Sequence, residues 1–376
     1  MVQPREPVRS PKWGSLKRTR TGKRSKIEQV YAHSIWKKIL FLIVLAGILI
    51  IASAIIITLG AIPITIPEVY GVLINRFISG LYSFNIDPLI DHVVWQIRMP
   101  HIIGAIIVGF GLGVCGCVMQ AVLKNPLASP FTLGISSGAQ FGVSIAVVFD
   151  ITILSGPYFL IGNAFLFALL CSGIILALSA MKGANPETMI LVGIALNYFF
   201  QAMTEALHYV ANDEQLRQMT EWGMGGFANL NWTSFMILTA VSIISVPLLY
   251  KNAWDLNLMT VGDESAKSMG VNANHIRIFV MVVASFLVAS LVAFVGPIGF
   301  VGLIAPHVGR MIIGGDHRYL IPAAGMLGAV ILLCADAISM TLISPIVIPL
   351  GTVMALLGVP FFLFLILKGK RREYWS

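Results

Sequence analysis

Apolar residues run through this chain in ten long blocks, at about 39–61, 101–123, 130–149, 157–181, 187–210, 232–250, 274–296, 298–315, 320–343 and 346–367. Most approach the ~20 residues a helix needs to cross a bilayer. The pattern predicts an all-α integral membrane protein of about ten transmembrane helices. The boundary at Gly296-Pro297 divides two of the blocks. The stretch 62–100, with Pro63, Pro67, Pro88 and Pro100, is long for a loop and predicts short interfacial helices. Two acids fall inside blocks, Glu205 and Asp336. Glu205 is expected near an outer helix end, and Asp336 hydrogen-bonded between helices, because an isolated charge in mid-bilayer is costly.

Composition agrees with the pattern. The 376 residues are 57% hydrophobic and 11% charged, with a mean hydropathy of +0.87; a soluble domain carries roughly 25% charged residues. Cations are unevenly placed. Eleven Lys and Arg lie in residues 1–38, a stretch poor in hydrophobic residues that is read, over 1–37, as a disordered basic cytoplasmic tail. With the N-terminus inside and ten alternating spans, 22 of the 25 Lys and Arg fall on the inner side, leaving Arg76, Arg98 and Arg217 outside. That asymmetry obeys the positive-inside rule and predicts both termini in the cytoplasm of a multi-pass cell-membrane protein. The net charge of +8 is thereby explained by topology and contact with anionic lipid, with no nucleic acid as partner.

Chemistry-bearing patterns are few. The chain has no phosphate-binding glycine loop and no catalytic constellation, so it is read as no enzyme, with no cofactor and no metal site. Cys115, Cys117, Cys171 and Cys334 lie within apolar blocks and read as small hydrophobes. The largest charged loop on the inner side, 251–273, holds Gly262-Asp263-Glu264-Ser-Ala266-Lys267-Ser-Met269-Gly270. Acids at the start, Lys267 one turn on and Gly270 as a left-handed end predict a short helix over about 260–271. Ala266 and Met269 would give it a small apolar face. Such a helix suits a groove on a soluble partner, and serves equally as a plain connector. Gly104, Gly109, Gly111, Gly113 and Gly116 crowd the second block and predict close helix packing.

Several blocks together resemble one family. They are Arg98-Met-Pro-His101, Met119-Gln120, Asn125-Pro-Leu-Ala128, Gly134-Ile-Ser-Ser-Gly138, the 262–270 helix, Gly296 through Arg310, Gly315-Asp-His-Arg318, Ala335-Asp336, Pro349-Leu-Gly351 and Gly358-Val-Pro-Phe361. In this order, from about residue 95 onward, they are similar to the iron-siderophore and cobalamin permeases of ABC importers. The resemblance implies a type II ABC importer permease fold over 38–370 and translocation of a metal chelate such as a ferric siderophore, haem or cobalamin. It also implies a second permease copy, two ATP-binding subunits and an extracytoplasmic substrate-binding protein. Gly262, Asp263, Glu264, Ala266, Lys267, Met269 and Gly270 would then couple to the ATPase. External arginines of the family meet acids on the binding protein: Arg98 matches one, His101 stands where a second is usual, and Arg76 is a further candidate. Met340 and Val347 also depart from the pattern, standing where an Arg and a Glu are frequent. Two other classes fit the composition, an ion-driven secondary transporter and a membrane anchor; a co-purifying ATPase separates them from the first.

Overall fold

The computed structural model describes residues 26–60, 62, 64–77, 85–228 and 230–368, and every regular element among them is a helix. The chain divides into two units, Met1–Lys37 and Lys38–Ser376. Among the described residues seven helices are long and apolar enough to cross a membrane, and three shorter apolar helices, Ile135–Phe149, Val301–Ile313 and Leu350–Phe364, complete the ten expected segments.

In chain order these are α1 (Lys26–Ile56), α4 (Met99–Val122), α5 (Ile135–Phe149), α6 (Phe159–Ala180), α7 (Pro186–Val210), α9 (Trp232–Lys251), α12 (Ala273–Val295), α13 (Val301–Ile313), α14 (His317–Thr341) and α15 (Leu350–Lys368). Short helices join them: α2 (Ile66–Phe77), α3 (Pro88–His92), α8 (Asp213–Gly223), α10 (Ala253–Val261) and α11 (Asp263–Ser268).

Two boundaries differ from expectation. Helix α1 starts at Lys26, so residues 26–37 are helical rather than the disordered chain expected there. Lys-Ile-Glu-Gln-Val after the last tail glycine are residues a helix accommodates well. The rest of the expected tail, 1–25, lies outside the described residues. The second span starts at Pro88 instead of about 101. A π-helical turn at Val93–Arg98 joins α3 to α4 without a break. Pro100 follows directly on that turn; lacking an N–H it leaves a carbonyl of the turn without its helical donor, and the Trp95 carbonyl accepts from Trp232 Nε1 at 3.1 Å instead.

The middle of the bundle is α4. It is enclosed by α12, α13 and α14, and most of its residues from Val108 to Val122 are buried. Lipid is as apolar as Leu, so burying hydrophobic surface does little to drive one helix onto another. Close backbone approach does this instead. A Cβ on Gly109 would lie 2.5 Å from the Gly328 carbonyl oxygen, and one on Gly113 or Gly116 would overlap the carbonyls of Ala324 and Gly302. Cys115, Cys117 and Cys171 are buried as expected, whereas Cys334 is exposed.

Chain direction places the starts of α7, α12 and α14 and the ends of α4, α6 and α9 on one side, together with α10 and α11. This is the side that the charge count assigns to the cytoplasm. Arg98, α8 and the ends of α12 and α14 lie on the other.

Candidate functional site

Three turns of chain build a compact knuckle on the first side. Helix α10 ends at Gly262, whose φ of 135° no other residue adopts without strain. The six residues of α11 follow, and Gly270, at φ 89°, reverses the chain in the left-handed conformation that the sequence predicts. Val271 N–H closes the turn on the Ala266 carbonyl at 2.9 Å.

The expected apolar face of α11 is split. Ala266 is fully buried and seats the helix on its own protein, while Met269 is 53% exposed. Glu264 and Lys267 are exposed beside it. The exposed side chains along α11 and at its end are therefore Glu264, Lys267, Ser268 and Met269.

Asp263 is the first residue of α11 and makes no capping hydrogen bond with its side chain; its partners lie on other elements. Its Oδ2 accepts a hydrogen bond of 2.8 Å from Arg277, and Lys124 Nζ lies 2.9 Å from Oδ1 as an ion pair. Partial burial pushes its pKa upward, but the hydrogen bonds and charges of Lys124 and Arg277 outweigh this and hold it below the ordinary carboxylate value. Arg277 is the residue that sequence reading passed over as one more inner cation. It is the lone charged side chain in the apolar run 274–296, and that isolation was the available signal.

A second cluster ties α10 to α14. Asp316 caps α14 and accepts from Arg318 Nη2 at 2.7 Å and from Asn257 Nδ2 at 2.9 Å. Asn257 accepts in turn from the His317 backbone N–H at 2.8 Å. Lys38 Nζ stands 3.7 Å from the same carboxylate, and the Arg318 guanidinium stacks over Trp254 with 4.6 Å to the ring centroid. Burial disfavours ionised Asp316, yet the Arg318 and Asn257 hydrogen bonds hold its pKa far below the usual range. Both α10 and α11 are thereby fastened to membrane-crossing helices by charge-assisted hydrogen bonds.

On the opposite side the expected docking residues separate. Arg98 is not a surface charge: it is 6% exposed, and its guanidinium donates to the carbonyls of Ile57, at 2.9 Å, and Ile62. These are the last carbonyls of the α1 end and the chain beyond it, so Arg98 holds that segment down. Arg76 is about half exposed, but Asp91 pairs with it at 2.6 Å and the Trp95 ring lies beneath it. The third outer arginine, Arg217, is bound by Glu214 and Glu221 on its own helix, at 2.7 Å each. His101 is half-buried against the edge of Phe227.

Arg98 and His101 line a cavity of about 650 Å³, together with Trp222, Asp336, Met340 and Val347. The three positions that depart from the resembled pattern, His101, Met340 and Val347, thus share one cavity wall. Asp336 is 4% exposed and its Oδ2 accepts no hydrogen bond among the described residues, so the expected interhelical bond is not made by that oxygen. Glu205 is exposed on α7.

Comparison with known proteins agrees with this architecture. The model of the FecCD transport family matches residues 47–368. A Methanocaldococcus jannaschii protein described as an ABC transporter permease is 42% identical over 355 residues, covering 92% of this chain and 99% of that protein. The hemin transport system permease protein of Yersinia pestis is 37% identical over 295 residues, 78% of this chain and 88% of its own. A solved inward-facing structure described as a metal-chelate type ABC transporter superposes with a TM-score of 0.76 at 31% identity, over 87% of this chain and 99% of that one. With ten apolar helices in the expected order and a family match from the first span to the last, this chain belongs to the FecCD transport family of membrane permeases.

Proposed function

We propose that this chain is the membrane-crossing subunit of a binding-protein-dependent importer, moving a metal chelate across the cell membrane on ATP hydrolysed by a separate subunit. The observation that carries the reading is the knuckle α10–α11. It exposes Glu264, Lys267 and Met269 to a partner while Asp263 and Asn257 join it to membrane helices. Such a knuckle converts a push on a short surface helix into displacement of long ones. Relatives named for hemin and vitamin B12 transport favour a bulky chelate as cargo. A second copy of the chain, two ATP-binding subunits and an extracytoplasmic binding protein complete the assembly.

Reconstituted in vesicles with an ATP-binding subunit and a loaded binding protein, the chain is expected to take up ferric siderophore, haem or cobalamin only when ATP is supplied. Uptake that persists without the ATP-binding subunit and collapses with a protonophore would overturn the reading in favour of an ion-driven transporter, in which Asp336 would be the exchanging carboxylate.

Orientation follows from charge: both termini, α10 and α11 face the cytoplasm. A maleimide-reactive Lys251→Cys is expected to be labelled in inverted vesicles and protected in intact cells. The reverse labelling would invert the assignment.

A further inference from the structure

Arg277 is 1% exposed, yet it carries a full charge at the foot of α12. Four of its five N–H donors are placed, and they go to four different acceptors. Nε donates to the Val122 carbonyl at the end of α4, at 2.9 Å. Nη1 donates to the Ala184 carbonyl in the α6–α7 turn at 3.0 Å and to Asn274 Oδ1 at 2.8 Å. Nη2 donates to Asp263 Oδ2 at the start of α11. A planar guanidinium can satisfy this set because its donors diverge in a fixed fork; a lysine ammonium in the same place reaches fewer of them.

Two of the acceptor turns carry unusual backbone. Ala184 has φ 55°, and Lys124, two residues past Val122 and paired with Asp263, has φ 49°. Neither is glycine, and the left-handed conformation is unfavourable for a residue that bears a side chain. Such residues persist where the surroundings over-determine them. Here Arg277 and Asp263 do so, for both turns at once.

We propose that Arg277 is the positioning residue that makes α11, the end of α4 and the α6–α7 turn a single rigid body. Displacement of α11 by its partner is then delivered to α4 and α7 rather than absorbed in the loop. The proposal rests on the importer reading for what pushes α11, but the rigid body itself does not.

The test uses the assembled complex and two readouts. The first is substrate transported per ATP hydrolysed, which a merely structural role would leave unchanged. Arg277→Lys and Arg277→Gln are expected to lower this ratio roughly tenfold while hydrolysis continues. Lys124→Met keeps the carbonyl contacts of Arg277 and is expected to cost less, roughly threefold. It is also the variant to rely on if the Arg277 variants do not assemble. The second readout is the distance between spin labels at Met269→Cys and Lys182→Cys, at the end of α11 and in the α6–α7 turn. It is expected to be one narrow distribution in the parent and a broad one in each variant. If the parent shows no ATP-driven uptake, the importer reading fails and the label distances alone decide the clamp. Narrow distances in all the variants, or an unchanged transport ratio in a working complex, would overturn it.

Discussion

Gly116→Val is expected to abolish the folded permease, whereas Gly47→Val in α1 is expected to leave it intact. A Cβ on Gly116 would sit inside the Gly302 peptide, within 2.5 Å of its carbonyl carbon and 2.6 Å of its Cα. All the opposing atoms are backbone, so no rotamer change relieves the overlap. The helices α4 and α13 must part, and they cannot part alone. Gly113 lies against the Ala324 carbonyl and Gly109 and Gly328 press on each other, so α4 is held on α14 over the same stretch. Overpacking a tight interior costs about 1–3 kcal/mol even where side chains can adjust, and here the upper end is the minimum. Around Gly47, by contrast, a Cβ meets no heavy atom within 4 Å. Thermal unfolding of the detergent-solubilised protein, followed by fluorescence-detected size exclusion, should show a dispersed or absent peak for Gly116→Val and a parent-like one for Gly47→Val. A parent-like melt for Gly116→Val would mean that α4 and α13 do not touch backbone to backbone.

That glycine crowding was legible in the sequence as a packing face, because small residues in an apolar helix have few other uses. The ten segments were legible for the same kind of reason: a bilayer demands a long apolar run, and a run is a local property. So was the left-handed end at Gly270. What depended on distant chain was not. Arg98 stands among outer-side residues and reads as a docking charge, but Ile57 and Ile62, 41 and 36 residues earlier, supply the carbonyls that bury it. Asp263 reads as a helix-start acid, and only the fold brings Lys124 and Arg277 to it. The start of the second span was missed for a local reason. Pro100 signals a boundary, and the π turn that carries helix through 93–98 leaves no mark in the residue pattern.

Asp263→Lys is expected to uncouple the importer more severely than any change on the exposed face of α11. The substitution puts a third cation beside Lys124 and Arg277 and leaves the buried guanidinium without its anion, an arrangement far worse than removing both partners. Transport per ATP is expected to fall by on the order of tenfold or more, with ATP hydrolysis retained. Asp263→Asn, which keeps an acceptor and loses the charge, should lie between. The parent's pH profile follows from the sign of the shift. A carboxyl whose pKa is lowered in the folded state contributes its pairing above its unfolded value, about 3.9, and loses it only as pH falls through the lower folded value. Coupling in the parent should therefore be level from neutral pH down through about pH 5, and a loss centred near pH 6 would exclude Asp263 as the group responsible. Glu264→Lys is the informative contrast. Glu264 is exposed, and the carboxylate that pairs with Arg277 is Asp263, so reversal of Glu264 should weaken assembly with the ATP-binding subunit while leaving transport per ATP in the assembled fraction unchanged. Equal uncoupling by both substitutions would mean that the exposed surface of α11, and not its anchorage through Asp263, sets the stroke.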